Sequence, residues 1–278
     1  MATPIGNLED ITLRALRVLK EVDVIAAEDT RVTRKLLSHY DIHTQMVAYH
    51  QHSSGRRAEE IVDMIKAGAT VALVSDAGTP GISDPGHELI ALCIAADLPI
   101  QSVPGPAALI PAIVVSGLST SHFIFDGFPP RKLSERRTYF KSIADETRTI
   151  VLYESPLRLS VTLRTIKEVL GDRQVAVIRE ATKLFEEVFR GDVSEAIERF
   201  QGRIRGEIVL VIEGGIPQTN TNPEEVQPLL RRRLAELLAS GLSQRDAVRQ
   251  GTIELRLPRR LVYATMLAMK ENGDEIDS

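Results

Sequence analysis

Apolar residues in the first part of the chain follow two alternating periods. Short apolar runs at Val22–Ala26 and Val71–Val74 are typical of buried strands, whereas residues 10–21 and 56–67 space their apolar side chains along one helix face. Each predicted helix separates one strand from the next. This alternation predicts an α/β fold built on a parallel sheet.

The same alternation continues as far as a turn-rich segment at Gly117–Ser121. It predicts a helix over Pro85–Ala96 and a strand at Ile100–Val103. Pro104–Ala108 is expected to begin another helix, whose free N-terminal amides would point towards the end of the sheet. We therefore place the end of the first α/β domain at residue 119.

A second alternating pattern occupies residues 120–216 and predicts a second α/β domain. Its predicted strands are Phe123–Gly127, Thr149–Tyr153, Val175–Ile178 and Glu207–Glu213. A polar linker follows, and residues 222–278 read as three helices from their capping residues. The expected starts are at Asn222 with Pro223, at Ser243 and at Pro258, and the first helix is expected to end at Gly241. Short helices joined by turns resemble a helix-turn-helix module.

Composition restricts the class of protein. The chain has 278 residues, is 43% hydrophobic and 26% charged, and contains a single cysteine, Cys93, so an intramolecular disulfide is excluded. Its longest apolar stretch, Val103–Leu118, is interrupted by prolines and glycines and is too short to span a bilayer. His43, His50 and His52 have no carboxylate or cysteine at metal-ligand spacing. We expect a cytosolic protein with no metal site and no membrane segment.

Charge is unevenly distributed along the chain. The net charge of −4 argues against general nucleic-acid binding, so any contact with RNA must be local. Residues 131–148 carry six basic and three acidic side chains, and residues 231–263 carry eight arginines and three acids. Arg131 and Lys132 are therefore candidate phosphate contacts. A solvated helix face is the alternative for the first segment, and a dimer or packing role is the alternative for the second.

A loop rich in glycine and proline follows the predicted strand Val71–Val74. Gly78, Gly81 and Gly86 permit a positive φ and close approach of a ligand to the backbone, while the prolines between them restrict the loop. Ligands of open α/β sheets bind beyond the carboxyl ends of the strands, which is where this loop must lie. The alternative is an ordinary turn. No P-loop and no G-x-G-x-x-G motif is present.

Several motifs together resemble one known family. They are Thr3–Thr12, Ala27–Arg31, Ser75–Gly81, Val103–Ala107 and Tyr153–Pro156. In this order they resemble the tetrapyrrole-methylase superfamily, and within it the branch that methylates the 2'-hydroxyl of a cytidine in the decoding region of small-subunit (16S) ribosomal RNA. The resemblance implies S-adenosylmethionine as cofactor, two α/β domains of the class III methyltransferase type, a homodimer, and a cofactor cleft. Its implied partner is the small ribosomal subunit.

The resemblance and the loop chemistry give a set of expected site residues. The expected cofactor-binding residues are Pro4, Gly6, Asp76, Ala77, Gly78, Thr79, Pro80, Ser83, Pro104, Gly105 and Pro106. The expected substrate-binding residues are Glu28, Asp29, Arg31, Arg131, Lys132, Tyr153 and Arg158. Capping of the following helix is the alternative role for Asp29, and a solvated face is the alternative for Arg31.

Methyl transfer to a ribose hydroxyl needs alignment of the reacting atoms and an acceptor for the proton. The candidate catalytic residues are Lys183, Glu186 and Glu154. Lys183 acts as a base only if its pKa is lowered, and an ordinary ion pair with Glu186 is the alternative.

Two other functions compete with RNA methylation. A tetrapyrrole-type small-molecule methyltransferase would share the fold, but it has no need of the basic segments at Arg131–Lys132 and in the tail. A ribosome-associated protein without catalytic activity is the third hypothesis. The intact Asp76–Gly81 segment argues against it.

Overall fold

The computed structural model describes residues 1–50, 55–202, 204–215, 223–255, 257 and 259–271. Within these ranges the chain forms two compact units. The first comprises Met1–Tyr139 and Thr149–Glu213, and the second comprises Phe140–Arg148 and Gly214–Ser278. Both β-sheets belong to the first unit.

The first sheet has three parallel strands. They are β1 (Val24–Ala27), β2 (Gln45–Ala48) and β3 (Val71–Val74), in the order β2-β1-β3. All four β1 residues are buried, because Ile25 packs into an apolar cluster on one side of the sheet and Ala26 into another. The prediction of a parallel sheet is confirmed here.

The second sheet is mixed. Its strands are β4 (Phe123–Phe125), β5 (Thr149–Glu154), β6 (Gln174–Arg179), β7 (Glu187–Asp192) and β8 (Ile208–Ile212), in the order β4-β5-β8-β6-β7. Only the β4–β5 pair is parallel among the described strands. Every residue of β8 is buried, as its central position requires.

Eleven α-helices occupy the described ranges. They are α1 (Leu13–Glu21), α2 (Thr30–His39), α3 (Gly55–Lys66), α4 (His87–Ala95), α5 (Leu109–Val115), α6 (Leu133–Ser142), α7 (Leu159–Leu170), α8 (Val193–Arg199), α9 (Pro223–Ala239), α10 (Gln244–Leu255) and α11 (Arg259–Glu271). Of the two candidate caps for α1, Thr12 is the one used: its hydroxyl accepts a hydrogen bond from the amide of Ala15 at 3.1 Å. Asp29 caps α2 by accepting from the amide of Arg31 at 2.8 Å.

Two predictions near the first sheet are wrong. Ile100–Val103 forms no strand; Ile100 is 48% exposed, and the carbonyl of Val103 accepts one hydrogen bond, from the amide of Ala2. The helix expected to start at Pro104 begins only at Leu109. Strands β2 and β7 were not predicted.

The second unit contains the helices α9, α10 and α11, which confirm the predicted helical tail. Leu230, Leu234, Val248 and Val262 meet in its apolar core. Ser243 caps α10 through a hydrogen bond from the amide of Asp246 at 3.2 Å. The predicted features at His52, Asn222 and Pro258 lie outside the described residues.

In the part of the chain that the structure describes, no helix combines the length and the apolar character that crossing a membrane would require.

Candidate active site

The loop after β3 is tied to the N-terminal segment of the chain. The amide of Thr3 donates to the carbonyl of Gly78 at 2.8 Å, and the amide of Gly78 donates back to Thr3 at 3.0 Å. The Thr3 hydroxyl also donates to the carbonyl of Ser75 at 3.0 Å. Gly78 has φ +83°, a conformation that side chains other than glycine adopt with strain. The glycine loop is thus a fixed element.

This loop forms one wall of a cavity of about 360 Å³, and the opposite wall comes from the second sheet. That volume is within the range of small-molecule sites. Eight of the expected site residues line the cavity: Glu28, Asp76, Ala77, Gly78, Thr79, Ser83, Tyr153 and Glu154. The structure therefore brings together the ends of β1, β3 and β5, which lie far apart in sequence.

Glu28 and Asp76 meet at the ends of β1 and β3. Glu28 accepts a hydrogen bond from the amide of Asp76 at 3.2 Å, and Asp76 accepts one from the amide of Asp29 at 2.9 Å. Burial raises the pKa of both Glu28 and Asp76 above the ordinary value. The exposed Arg31 instead holds Asp29 in an ion pair of 2.6 Å and lowers the pKa of that carboxyl to about 2.

Glu154 lies at the end of β5 and is fully buried in a polar network. It accepts hydrogen bonds from the amide of Ser155 at 2.7 Å, from Arg158 at 3.3 Å and from the Thr162 hydroxyl at 2.5 Å. Arg158 also donates to the carbonyl of Pro129 at 2.5 Å. Glu154 therefore anchors this side of the cavity.

Lys183 does not pair with Glu186, so that expected ion pair is wrong. Its ammonium donates to Glu180 at 2.9 Å and to Glu207 at 3.0 Å, while Glu186 accepts from the amide of Thr182 at 2.6 Å. Burial lowers the pKa of Lys183, but its two carboxylate partners outweigh burial and raise that pKa above the ordinary value. Lys183 is a charged group here, which does not suit a base.

The remaining expected cofactor residues support the cavity without lining it. A Cβ added to Gly6 would overlap Lys183, and one added to Gly105 would lie 2.9 Å from the Cβ of Ala2. The Thr79 hydroxyl donates to the carbonyl of Pro106 at 3.0 Å. Pro4, Pro80 and Pro104 are also absent from the lining among the described residues. These close contacts fix the loops against each other.

Comparison with known proteins agrees with this geometry. The family described as tetrapyrrole (corrin/porphyrin) methylases matches residues 2–197. The chain belongs to the tetrapyrrole methylase family. A Synechocystis protein named ribosomal RNA small subunit methyltransferase I is 46% identical over 275 residues, which cover 98% of each chain. A Thermotoga maritima protein of the same name is 51% identical over 215 residues, 77% of this chain and 96% of that one.

Solved structures of other methylases share the fold. Uroporphyrin-III C-methyltransferase from Thermus thermophilus, solved in complex with S-adenosyl homocysteine, superposes with a TM-score of 0.52. Its sequence identity is 20%, and the match covers 75% of this chain and 93% of that one. The present chain is thus a member of a methyltransferase family with a two-sheet α/β fold.

Sequence reasoning missed Asp84 as a residue of the methylase cavity. Asp84 lines the cavity eight positions after Asp76, in the same loop. Burial raises the pKa of Asp84 to about 6, with further contributions from the nearby carboxylates of Glu28, Asp76 and Glu207. A second aspartate in a predicted ligand loop was the available signal for this residue.

Arg131 and Lys132 do not line the methylase cavity but lie exposed on the connector between β4 and α6. Lys132 pairs with Glu135 at 3.0 Å. The buried Arg136 donates to the carbonyls of Pro130 at 3.4 Å and Arg131 at 3.2 Å, which holds the connector in place.

Proposed function

We propose that this chain transfers a methyl group from S-adenosylmethionine to the 2'-hydroxyl of a cytidine in the decoding region of 16S ribosomal RNA. One observation carries the proposal: the 46% identity to a protein named ribosomal RNA small subunit methyltransferase I extends over 98% of both chains. Several properties of the cavity support it.

The cavity fits S-adenosylmethionine by size and by charge. The lining includes the carboxylates of Glu28, Asp76, Asp84, Glu154 and Glu207. Such a lining favours a cationic ligand over a phosphate-bearing one, because like charges repel. Bound there, S-adenosylmethionine supplies an activated methyl group on a positively charged sulfur.

Particular groups of the loop are suited to hold the cofactor. The backbone of Ala77, Gly78 and Thr79 faces the cavity, and Gly78 presents no side chain to a ligand. Glu28 and Asp76 are hydrogen-bond acceptors placed for ribose hydroxyls. The protein thereby positions the methyl carbon for in-line attack, which is the main contribution that such a reaction requires.

Two aromatic residues at the cavity support a nucleotide as substrate. Tyr153 and Phe128 both line the cavity, and their ring centroids lie 5.7 Å apart in an edge-on arrangement. Phe128 is 53% exposed, so one of its faces is open to solvent. Unpaired RNA bases stack on exposed aromatic rings of this kind.

The basic segments support RNA rather than a small molecule as substrate. Arg131 and Lys132 are exposed beside Phe128 in the sequence, and residues 231–263 carry a net charge of +5, eight arginines less three acids. In the proposed enzyme both segments bind phosphates. It acts in the cytoplasm as a homodimer; Leu184 and Phe185, 90% and 70% exposed, supply apolar surface for a second copy.

The test is a comparison of substrates. The protein is incubated with radiolabelled S-adenosylmethionine and, in parallel, with small ribosomal subunits, naked 16S rRNA and uroporphyrinogen. We expect label in RNA, resistant to alkaline hydrolysis at one cytidine, because a 2'-O-methyl group blocks cleavage there. Label in the porphyrinoid and in neither RNA sample overturns the proposal.

Neutralising the exposed face of α10 is expected to weaken RNA binding in a salt-dependent way. The double variant Arg245→Gln with Arg249→Gln removes two charges, so the slope of log K against log salt should fall by about 1 to 2. Filter binding to rRNA at several salt concentrations measures the slope.

The matched control removes two exposed charges from α1, by Arg17→Gln and Lys20→Gln. It should leave the slope at the wild-type value. Equal slopes for both double variants would show that α10 makes no specific contribution to RNA binding.

A further inference from the structure

The carboxylates around the cavity differ in what already occupies them. Glu207 is paired with Lys183 at 3.0 Å, and the Glu154 network uses an amide, an arginine and a hydroxyl. Glu28 and Asp76 each accept a backbone amide at the strand ends. All four therefore have a defined structural partner.

Asp84 differs from these four. Among the described residues it forms no ion pair, and its carboxylate accepts a hydrogen bond from the side chain of the buried Ser75. Ser83, the residue before it, has φ +63°, and the Cβ of an alanine at Gly127 would lie 3.1 Å from the Ser83 hydroxyl. The backbone leading to Asp84 is thus held tightly against the start of the connector.

We propose that Asp84 is the proton acceptor of the methyl transfer. The inference rests on the proposed function and names the base for that reaction. The ribose O–H bond breaks and its proton passes to a carboxylate oxygen of Asp84. The hydroxyl oxygen forms a bond to the methyl carbon, and the carbon–sulfur bond breaks with its electron pair left on sulfur. The products are the 2'-O-methyl ribose, a neutral thioether and the protonated carboxyl, which then releases its proton to solvent.

The charged groups facing Asp84 suit this role. Glu28 and Asp76 face it from the ends of β1 and β3, Glu207 from the start of β8, and Tyr153 from β5. Burial and these acidic neighbours raise the pKa of Asp84 to about 6. A carboxylate with this pKa is ionised at neutral pH yet more basic than an ordinary aspartate, as general base catalysis requires. Asp84 in turn helps to raise the pKa of Tyr153, after the larger effect of burial.

The test uses Asp84→Asn in the full chain, with small subunits or rRNA as substrate. We expect the single-turnover methylation rate to fall by about 100-fold or more, while the affinity for S-adenosylmethionine, measured by calorimetry, does not weaken. The wild-type rate should rise with pH up to about 6 and then level off, because only the ionised carboxylate accepts the proton. The variant should lose this inflection, and Asp84→Glu should keep it at a reduced rate.

Two measurements are independent of turnover. Carbon-13 NMR of the aspartate carboxyls should show one group titrating near pH 6 in the wild type and absent from Asp84→Asn. The variant should also melt at a higher temperature at pH 7, because it removes a partly buried charge that its neighbours repel. A purely structural aspartate would give a lower melting temperature.

The matched control is Asp97→Asn, an exposed aspartate outside the cavity lining, which should behave as wild type in every assay. A wild-type rate and pH profile for Asp84→Asn would overturn the assignment of the base and leave the proposed function intact. An Asp84 carboxyl that titrates near pH 4 would do the same. If the wild-type protein methylates neither RNA sample, the proposed function fails, and the assignment fails with it.

Discussion

Replacing Gly78 with valine is expected to abolish measurable binding of S-adenosylmethionine. A Cβ at this position would lie 3.5 Å from Ile5 and 3.8 Å from the carbonyl of Pro106, so the first carbon fits and the two methyl groups take up cavity volume. The backbone at φ +83° adds strain for a β-branched residue. Calorimetry should show a loss of affinity of about 100-fold or more, equivalent to about 2.8 kcal/mol.

A second glycine separates the effect of strain from the effect of lost volume. Gly68 has φ +99°, and a Cβ there would meet no atom within 4 Å. Gly68→Val therefore carries comparable backbone strain outside the cavity. It should lower the melting temperature and leave cofactor affinity unchanged. Equal affinities for the two valine variants would show that Gly78 does not face the cofactor.

Replacing Glu154 with alanine is expected to destabilise the first unit strongly. The Glu154 side chain is fully buried, and its removal leaves Arg158 and the Thr162 hydroxyl without their acceptor. Breaking a buried ion pair from one side costs about 3 to 5 kcal/mol, since the remaining charge stays desolvated. Urea unfolding followed by circular dichroism measures the change.

Glu21→Ala is the matched control for this substitution. Glu21 forms an i,i+4 ion pair with Arg17 at 3.0 Å on α1, and both side chains are more than half exposed. Exposed pairs contribute about 0 to 1 kcal/mol, so this variant should remain close to wild type. If Glu154→Ala unfolds at the wild-type urea concentration, the buried network is not what stabilises this end of β5.

Central strands could be predicted from sequence and edge strands could not. β3 was predicted with its observed bounds because a central strand buried on both faces reads as one continuous apolar run. β2 and β7 lie at the edges of their sheets, where partly exposed positions weaken the apolar pattern. Ile100–Val103 was apolar enough for a strand, but an apolar run does not specify its hydrogen-bonding partner.

The candidate site shows the same division. The glycine loop was predictable, because its backbone requirements are local and are met by residue type alone. The partners of Lys183 were not: its acceptors are Glu180 and a glutamate 24 positions away, whereas sequence spacing pointed to Glu186. The basicity of Asp84 likewise depends on burial and on carboxylates from separate strands. Such effects arise only once the chain is folded.

The lining of the cavity also has a consequence for synthesis of the chain. Ile5 and Val209 both contribute to it, so the ligand site is complete only when some two hundred residues have been translated. At about 5 to 20 residues per second, the earliest contributor waits roughly 10 to 40 s for the last one. A nascent or prematurely terminated chain therefore gains no stability from the methyl donor, and ligand-induced protection from proteases should appear only in the finished product.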